Sequence, residues 1–271
     1  MIPFIGASIV SCDDHNTSAQ NKKTTDSTTI VLKEDSVTYN LDGKSYKGYV
    51  IYDSSKQDKR PGVLVVHEWW GLNDYAKSRA KQLAELGYIA MAVDMYGDGA
   101  TAEDPAGAQT LATPFYKDPT LAKSRLVAAL NKLKEYSQAD TANIGAIGYC
   151  FGGYVVLNAA KLGANLKGVV SFHGGLGGAP VAKELMKAKI LVCHGDSDQF
   201  VNPEVAAFKK SFDSAGVEYT FKNYANATHA FTNPNATEKG KKYHMPIEYN
   251  AEADKNSWSD MKEFFSKIFT K

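Results

Sequence analysis

The stretch Ile144–Gly153, IGAIGYCFGG, constrains this chain more than any other part of it. Its first residues form a short apolar run that predicts a buried strand, and Tyr154–Leu162 predicts a helix. Between the two, Gly148 and Gly152 flank a cysteine, each two positions away. A strand that turns this sharply into a helix strains the backbone at its tip, and glycines there remove β-carbons that would collide.

The pattern predicts that Cys150 occupies the tip and that its thiol stands clear of the sheet. The N-terminus of the following helix would point at the same place, and its partial positive charge favours a thiolate and a developing oxyanion. This is the arrangement of a nucleophile elbow with cysteine as the nucleophile. The alternative interpretation is a buried cysteine in a glycine-rich turn, and the rest of the chain has to decide between them.

Length, charge and cysteine content exclude several classes of protein. A chain of 271 residues can bury the core of one α/β domain. The 31 Lys and Arg residues balance 30 Asp and Glu residues, so no overall charge recruits nucleic acid. Cys12, Cys150 and Cys193 lack the spacing of a zinc site and do not form a disulfide framework.

The composition of residues 1–29 predicts a signal-like segment and a tether, which precede a single folded domain at 30–271. Met1–Val10 is short and apolar, and Ile9-Val10-Ser11-Cys12 resembles the lipobox of bacterial lipoproteins, whose cysteine carries lipid. The polar tract that follows predicts a disordered tether. We therefore expect a lipoprotein of the bacterial cell envelope or periplasm, anchored to the membrane through Cys12. The alternative is a cytoplasmic protein with a disordered tail, because no Lys or Arg precedes the apolar run.

Strand and helix patterns alternate along the rest of the chain. Val37–Tyr52 predicts a hairpin, since an Asp-Gly turn separates two strand-like runs. Met95–Pro119, which is rich in Gly, Ala, Asp, Thr and Pro, predicts an irregular excursion above the sheet. The alternation predicts an α/β fold with a mostly parallel, doubly wound sheet and helices on both faces. The remaining predicted strands are Gly62–His67, Tyr88–Asp94, Leu166–Phe172, Ile190–Cys193 and Val217–Tyr224, and the remaining predicted helices are Tyr75–Leu86, Leu121–Tyr136, Pro203–Ala215 and Glu252–Phe269.

Three chemically active side chains follow predicted strands in the order nucleophile, acid, histidine. Cys150 follows one strand, Asp198 follows a second and His229 follows a third. Since the carboxyl ends of parallel strands share one edge of a sheet, we expect the three to converge. A cysteine nucleophile needs an imidazole to accept its proton, and the imidazole needs a carboxylate to orient it. Asp196 competes with Asp198 for the last role.

The elbow at Cys150, the strand-end residues Asp198 and His229, and the stretch His67–Asn73 together resemble the motifs of the dienelactone hydrolase family of the α/β-hydrolase superfamily, over most of Ser36–Phe269. The resemblance implies a hydrolase that cleaves a carboxylic ester or lactone through an acyl-cysteine intermediate, with a small-molecule substrate and no cofactor or metal. The residues that match the family motifs are Gly148-Tyr149-Cys150-Phe151-Gly152-Gly153, Asp198-Gln199-Phe200-Val201, His229-Ala230-Phe231, His67-Glu68-Trp69-Trp70-Gly71-Leu72-Asn73 and Asp94-Met95-Tyr96.

The resemblance also implies roles for residues outside the triad. A glutamate at the position of Glu68 helps to activate the family's cysteine, and the backbone N–H groups of Phe151 and Trp69 would form the oxyanion hole. Aromatic residues near the motifs are expected to line the substrate pocket, although core packing is the alternative for each of them. These pocket candidates are Trp70, Tyr96, Phe200 and Phe231.

Two positions depart from the family pattern. Dienelactone hydrolases bind the substrate carboxylate with two arginines, which Asp98 and Asn233 replace here. A site without those cations is not expected to favour the dicarboxylic dienelactone. Replacement cations are sought among Arg125, Lys241 and Lys242.

The same residues are compatible with two rival functions, and one metal-site interpretation has to be considered. The chain could be a non-catalytic envelope protein that binds a ligand or partner, or another thiol enzyme such as a peptidase or an acyltransferase. A metal cluster of His67, His173 and His194 is not expected, because their spacing matches no ligand motif.

Overall fold

The computed structural model describes residues 1–4, 6 and 29–269, so Cys12 and most of the predicted tether lie outside the described residues. The strands are β1 (Leu32–Leu41), β2 (Lys44–Asp53), β3 (Arg60–Val66), β4 (Ile89–Val93), β5 (Ala139–Tyr149), β6 (Gly168–Phe172), β7 (Lys189–Gly195) and β8 (Thr220–Tyr224). The helices are α1 (Asp74–Glu85), α2 (Pro105–Lys117), α3 (Thr120–Leu133), α4 (Phe151–Lys161), α5 (Asn202–Ala215), α6 (Ala236–Tyr243) and α7 (Ala251–Ile268).

The strands form one sheet in the order β1-β2-β4-β3-β5-β6-β7-β8. The β1–β2 hairpin and the β2–β4 pair are antiparallel, and every other pair is parallel. The predicted hairpin and the predicted mostly parallel sheet are therefore confirmed. The turn of the hairpin is Asp42-Gly43, and both residues have positive φ, as an Asp-Gly turn between paired strands requires.

Alternate residues of the central strands build two separate hydrophobic cores. Leu64 and Val66 of β3 pack into the core beneath α2, α3, α4 and α5. Val63 and Val65 pack into the opposite core, beneath α1 and α7. Because successive side chains of a strand point to opposite faces, a continuous apolar strand needs a cover on both sides. The predicted helices on both faces are confirmed.

The prediction that Met95–Pro119 is irregular is wrong, since the second half of this segment is helix α2. Asp104 caps this helix by accepting the Gly107 N–H at 2.8 Å, and Pro105 occupies the first turn. Proline restricts its own backbone to an angle that suits a helix start, so the pattern that suggested a loop begins a helix. Helix α6, which lies between His229 and the predicted helix Glu252–Phe269, was not among the predicted helices either.

The parallel order brings the carboxyl ends of β3, β5, β7 and β8 to one edge of the sheet. The turns that follow these strands carry Glu68, Cys150, Asp198 and His229 respectively. Among the described residues, no helix is both long and apolar enough to cross a membrane.

Candidate active site

Cys150 lies at the turn between β5 and α4 in a strained backbone conformation. Its φ is 52° and its ψ is −114°, a combination that residues with a side chain rarely adopt. A β-carbon at Gly148 would overlap the carbonyl of Gly152, and one at Gly152 would overlap the carbonyl of Val66. The tight turn therefore requires both glycines, and it leaves the thiol half-buried at the N-terminus of α4.

His229 and Asp198 are hydrogen-bonded to each other on the same edge of the sheet. Nδ1 of His229 lies 2.8 Å from Oδ2 of Asp198. Asp198 is fully buried, and its other oxygen accepts the N–H groups of Phe200 at 3.0 Å and Val201 at 3.1 Å. These bonds hold one carboxylate oxygen toward the imidazole. Asp196, the other candidate, is exposed and accepts the hydroxyl of the neighbouring serine at 3.0 Å.

The imidazole of His229 also contacts the Cys150 thiol. Burial lowers the pKa of His229, but the charge of the Cys150 sulfur and the hydrogen bonds with Asp198 and Cys150 raise that pKa well above its ordinary value of 6.5. A high pKa makes the ring a good acceptor for the thiol proton. The structure thus brings the sulfur, the imidazole and the carboxylate into one connected set.

Glu68, in the turn after β3, is only 3 % exposed and lines the same cavity as Cys150. Nδ2 of Asn233 donates to its Oε2 at 2.6 Å. Burial raises the pKa of the Glu68 carboxyl, and the Asn233 hydrogen bond and the charge of Lys239 offset part of that rise. Asn233 is one of the two positions where the related family has an arginine, so a neutral amide holds this carboxylate here.

Two backbone N–H groups beside the thiol have no acceptor in the part of the chain that the structure describes. They belong to Trp69 and Phe151, the two residues expected to form an oxyanion hole. The first turn of α4 packs against the end of β3, because Gly152 lies against the carbonyls of Val66 and His67. Unoccupied N–H groups at such a place can donate hydrogen bonds to a developing oxyanion, which is the chemistry an oxyanion hole needs.

A cavity of about 380 Å³ opens over the thiol and has the size of a small-molecule site. Of the four predicted pocket residues, Trp70 and Phe200 line it, and Phe200 is 51 % exposed at its mouth. The other lining residues are Glu68, Trp69, Gln109, Tyr116, Cys150, Gly175, Val201, Glu204, His229, Ala230, Met245 and Ile247.

The other two predicted pocket residues, Tyr96 and Phe231, do not line the cavity. Tyr96 is buried behind it, where its hydroxyl donates to the carbonyl of Trp69 at 2.9 Å and its ring packs on Phe151. Phe231 is fully buried beside the ring of His173, at a centroid distance of 5.2 Å. Some side chains next to a motif line the cavity and others pack in the core, and the sequence does not show which side each one takes.

Glu204 lines the cavity and was not predicted to do so. It lies in the first turn of α5, and its Oε2 accepts the N–H groups of Leu176 at 2.5 Å and Gly177 at 3.0 Å. The sequence contains one feature that could have predicted the position of Glu204. A helix that begins just after Asp198 must start at the active edge of the sheet, so polar residues in its first turn face that edge.

None of the described residues that line the cavity is Lys or Arg. Arg125 donates to the carbonyl of Met95 at 2.6 Å, and Asp98 lies 4.0 Å from Lys44. Lys241 and Lys242 are exposed on α6. A different residue of that helix, Lys239, lies over the ring of Trp70 at 3.9 Å. The replacement cations sought in the sequence are therefore not in the cavity lining.

Each of the three strand-end histidines, His67, His173 and His194, has its own hydrogen-bond partners. Nε2 of His194 bonds with Asn202 at 2.7 Å, and Nε2 of His173 bonds with Thr232 at 2.7 Å. Nδ1 of His173 accepts the backbone N–H of Cys150 at 3.1 Å. His173 thus supports the elbow from behind.

Comparison with known proteins places the chain among related hydrolases. The model of the dienelactone hydrolase family matches residues 47–269. A putative carboxymethylenebutenolidase from Aquifex aeolicus is 30% identical over 203 residues, which is 73% of this chain and 86% of that protein. A protein named Usf from Aquifex pyrophilus is 28% identical over 240 residues, 86% of this chain and 98% of the relative.

A solved structure extends the likeness to three dimensions. The crystal structure of a dienelactone hydrolase-like promiscuous phosphotriesterase from metagenomic libraries superposes with a TM-score of 0.81 at 35% identity. The match covers 88% of this chain and 99% of that one. The predicted fold and the predicted resemblance are confirmed by these matches.

Proposed function

Because the chain belongs to the dienelactone hydrolase family, whose members hydrolyse lactones and esters, we propose that it acts through a triad of Cys150, His229 and Asp198 and an acyl-cysteine intermediate. The observation that carries the proposal is the hydrogen-bonded His229–Asp198 pair, at 2.8 Å, in contact with a thiol on a strained elbow. Strain of this kind persists where the surrounding fold enforces it, and it concentrates at reactive residues.

In the first half of the reaction, the Cys150 sulfur attacks the carbonyl carbon of the substrate while its proton passes to His229. The carbonyl oxygen becomes an oxyanion, to which the N–H groups of Trp69 and Phe151 donate. His229 then returns the proton to the departing oxygen. With an ester the alcohol leaves, and with a lactone the ring opens and the new hydroxyl stays on the acyl chain.

In the second half, His229 takes a proton from water, and the resulting hydroxide attacks the thioester carbon. The carbon–sulfur bond breaks, and the proton on His229 returns to the Cys150 thiolate. Asp198 keeps the imidazole in the orientation that both proton transfers require. Glu68 is a second acceptor for the thiol proton, and its carboxylate charge beside the thiol disfavours a free thiolate at rest.

The test of the proposal is a covalent acyl-enzyme. Intact-protein mass spectrometry, with the reaction of a neutral aryl ester quenched in acid, is expected to show the mass of one acyl group on Cys150. Hydroxylamine should remove it, as it removes other thioesters. Turnover without any adduct, at steady state or at short reaction times, contradicts the mechanism, and the absence of both turnover and adduct favours a non-catalytic binding protein on the same fold. An adduct that passes to an amine or alcohol in preference to water identifies an acyltransferase.

We propose further that the substrate is uncharged around the reacting carbonyl. The lining carries Glu68 and Glu204 and no Lys or Arg among the residues described. Four aromatic residues, Trp69, Trp70, Tyr116 and Phe200, also line the cavity, and the last two of them are exposed. A carboxylate on the substrate would meet these like charges, with no lysine or arginine in the lining to pair with it. Phosphotriesters, which the solved relative accepts according to its name, are uncharged as well.

Charged thiol reagents measure the electrostatic potential at the Cys150 sulfur directly. In a Cys12→Ser background, cationic aminoethyl methanethiosulfonate is expected to modify Cys150 about tenfold faster, relative to a free thiol, than the anionic sulfonatoethyl reagent. Glu204→Gln should reduce that ratio, while Glu184→Gln, at an exposed site outside the cavity, should leave it unchanged. Faster reaction of the anionic reagent would contradict the substrate assignment without affecting the triad.

A further inference from the structure

His67, immediately after β3, has no exposed surface and uses both ring nitrogens. The backbone N–H of Met95 donates to its Nε2 at 3.2 Å. A backbone N–H can only donate, so Nε2 carries no proton and the neutral ring holds its proton on Nδ1. Nδ1 is hydrogen-bonded to the carbonyl oxygen of Glu68. The direction of both bonds is therefore defined: the ring accepts from Met95 and donates to Glu68.

The carbonyl of Glu68 and the N–H of Trp69 belong to the same peptide unit. That unit is planar and trans, so its carbonyl and its N–H point in opposite directions. Holding the carbonyl toward His67 turns the Trp69 N–H away from His67, and this N–H has no acceptor among the residues that the structure describes. The N–H of Gly71 also donates to the Glu68 carbonyl, at 3.3 Å. Two donors thus fix the orientation of one peptide plane.

The same ring also contacts the second proposed donor of the oxyanion hole. It stacks on Phe151 at a centroid distance of 5.7 Å with an interplanar angle of 22°. Tyr96 packs edge-on against it at 4.9 Å and donates to the carbonyl of Trp69 at 2.9 Å. His67 therefore lies between the peptide that carries the Trp69 N–H and the first residue of α4, and hydrogen bonds hold both of its ring nitrogens.

We propose that His67 is a positioning residue for the oxyanion hole, which holds the Trp69 N–H toward the reacting carbonyl by donating to the Glu68 carbonyl. The inference rests on the proposed function, because it requires that an oxyanion form at this place. The Trp69 N–H is held in this orientation before the substrate arrives, and such preorganised donors stabilise a transition state without reorganising during the reaction. Burial lowers the pKa of His67 to about 4, so the ring remains neutral and keeps its single proton near neutral pH.

The competing interpretation is that His67 only bridges β3 and β4 in the core. Two substitutions separate these interpretations, because each keeps one half of the ring's hydrogen bonding. In His67→Asn the amide nitrogen falls near the place of Nδ1 and can still donate to the Glu68 carbonyl. In His67→Gln the amide oxygen falls near the place of Nε2 and can still accept from Met95. His67→Asn removes the acceptor of the Met95 N–H, and His67→Gln removes one of the two donors to the Glu68 carbonyl, so both variants should lose stability.

The experiment compares ester hydrolysis with alkylation of Cys150 by iodoacetamide in the wild type and both variants. Alkylation needs the thiolate but forms no oxyanion. We expect His67→Gln to lower kcat about 10- to 100-fold for a neutral aryl ester, with KM and the alkylation rate unchanged. His67→Asn should retain kcat to within about threefold. Thermal unfolding of both variants controls for loss of structure.

Equal losses of kcat in the two variants, or a parallel loss of alkylation, would overturn the positioning role and leave the triad standing. A wild-type protein that alkylates but hydrolyses no ester would overturn the proposed function and this inference together. Nitrogen NMR of wild-type His67 gives an answer that needs no variant. A proton found on Nε2 at neutral pH would show that the ring does not donate to Glu68 through Nδ1.

Discussion

Cys150→Ala is expected to abolish hydrolysis, with a fall in kcat of roughly 10⁵- to 10⁶-fold, the scale seen when a triad nucleophile is removed. Without the sulfur no thioester forms, and the unoccupied N–H groups of Trp69 and Phe151 can assist only a direct attack by water. The measurement is the steady-state rate with a neutral aryl ester, together with intact-mass analysis for the acyl group. The fold should persist, because alanine fits the space that the thiol occupies.

Cys193→Ala is the matched control for this substitution. Cys193 is fully buried in β7, and burial raises the pKa of its thiol to about 12. Its sulfur lies 3.5 Å from the hydroxyl of Tyr224 and away from the cavity lining. We expect this variant to keep its kcat and to lose only stability. If Cys150→Ala retained turnover well above the uncatalysed rate, the thiol would not be the nucleophile.

Asp198→Asn is expected to lower kcat by about 10⁴-fold, because an asparagine amide promotes the wrong imidazole tautomer. The variant can keep the two bonds from the N–H groups of Phe200 and Val201, so the turn after β7 should stay intact. Nδ1 of His229 would then face a group that can donate, and its proton would move to Nε2. In that tautomer the ring cannot accept a proton from Cys150.

The pH dependence of the residual rate of Asp198→Asn should shift in a defined direction. The hydrogen bond and charge of Asp198 are among the effects that raise the pKa of His229, so their removal should lower that pKa. The residual rate should consequently depend on a group that titrates at lower pH than in the wild type. Asp196→Asn, in the same turn but exposed, should leave both rate and profile unchanged. A large loss in Asp196→Asn instead would exchange the roles of the two aspartates.

Much of the fold follows from local patterns in the sequence. Buried strands appear as continuous apolar runs such as Gly62–His67, and helices appear as apolar residues at a spacing of three to four. The right-handed crossover rule then leaves few ways to arrange alternating elements. Helix α2 was not predicted within Met95–Pro119, because proline and alanine are common both in loops and in the first turn of a helix.

The residues of the candidate active site could be located in the sequence because the strands that precede them could be recognised. A parallel sheet delivers every strand end to one edge, so Cys150, Asp198 and His229 had to emerge there once their strands were identified. Element boundaries and chain order suffice for that inference. They do not say which rotamer a side chain takes or which partner it finds.

Contacts between distant segments were decided only by the tertiary structure. The sequence determined the order of the elements, the elbow and the edge at which the reactive groups emerge, because these depend on local propensity and chain chirality. Only the packed structure decided that Asn233 holds Glu68, that Glu204 lines the cavity and that Tyr96 and Phe231 lie behind its wall. Those outcomes depend on how loops from different strands pack against one another, and no periodicity within one loop encodes that packing.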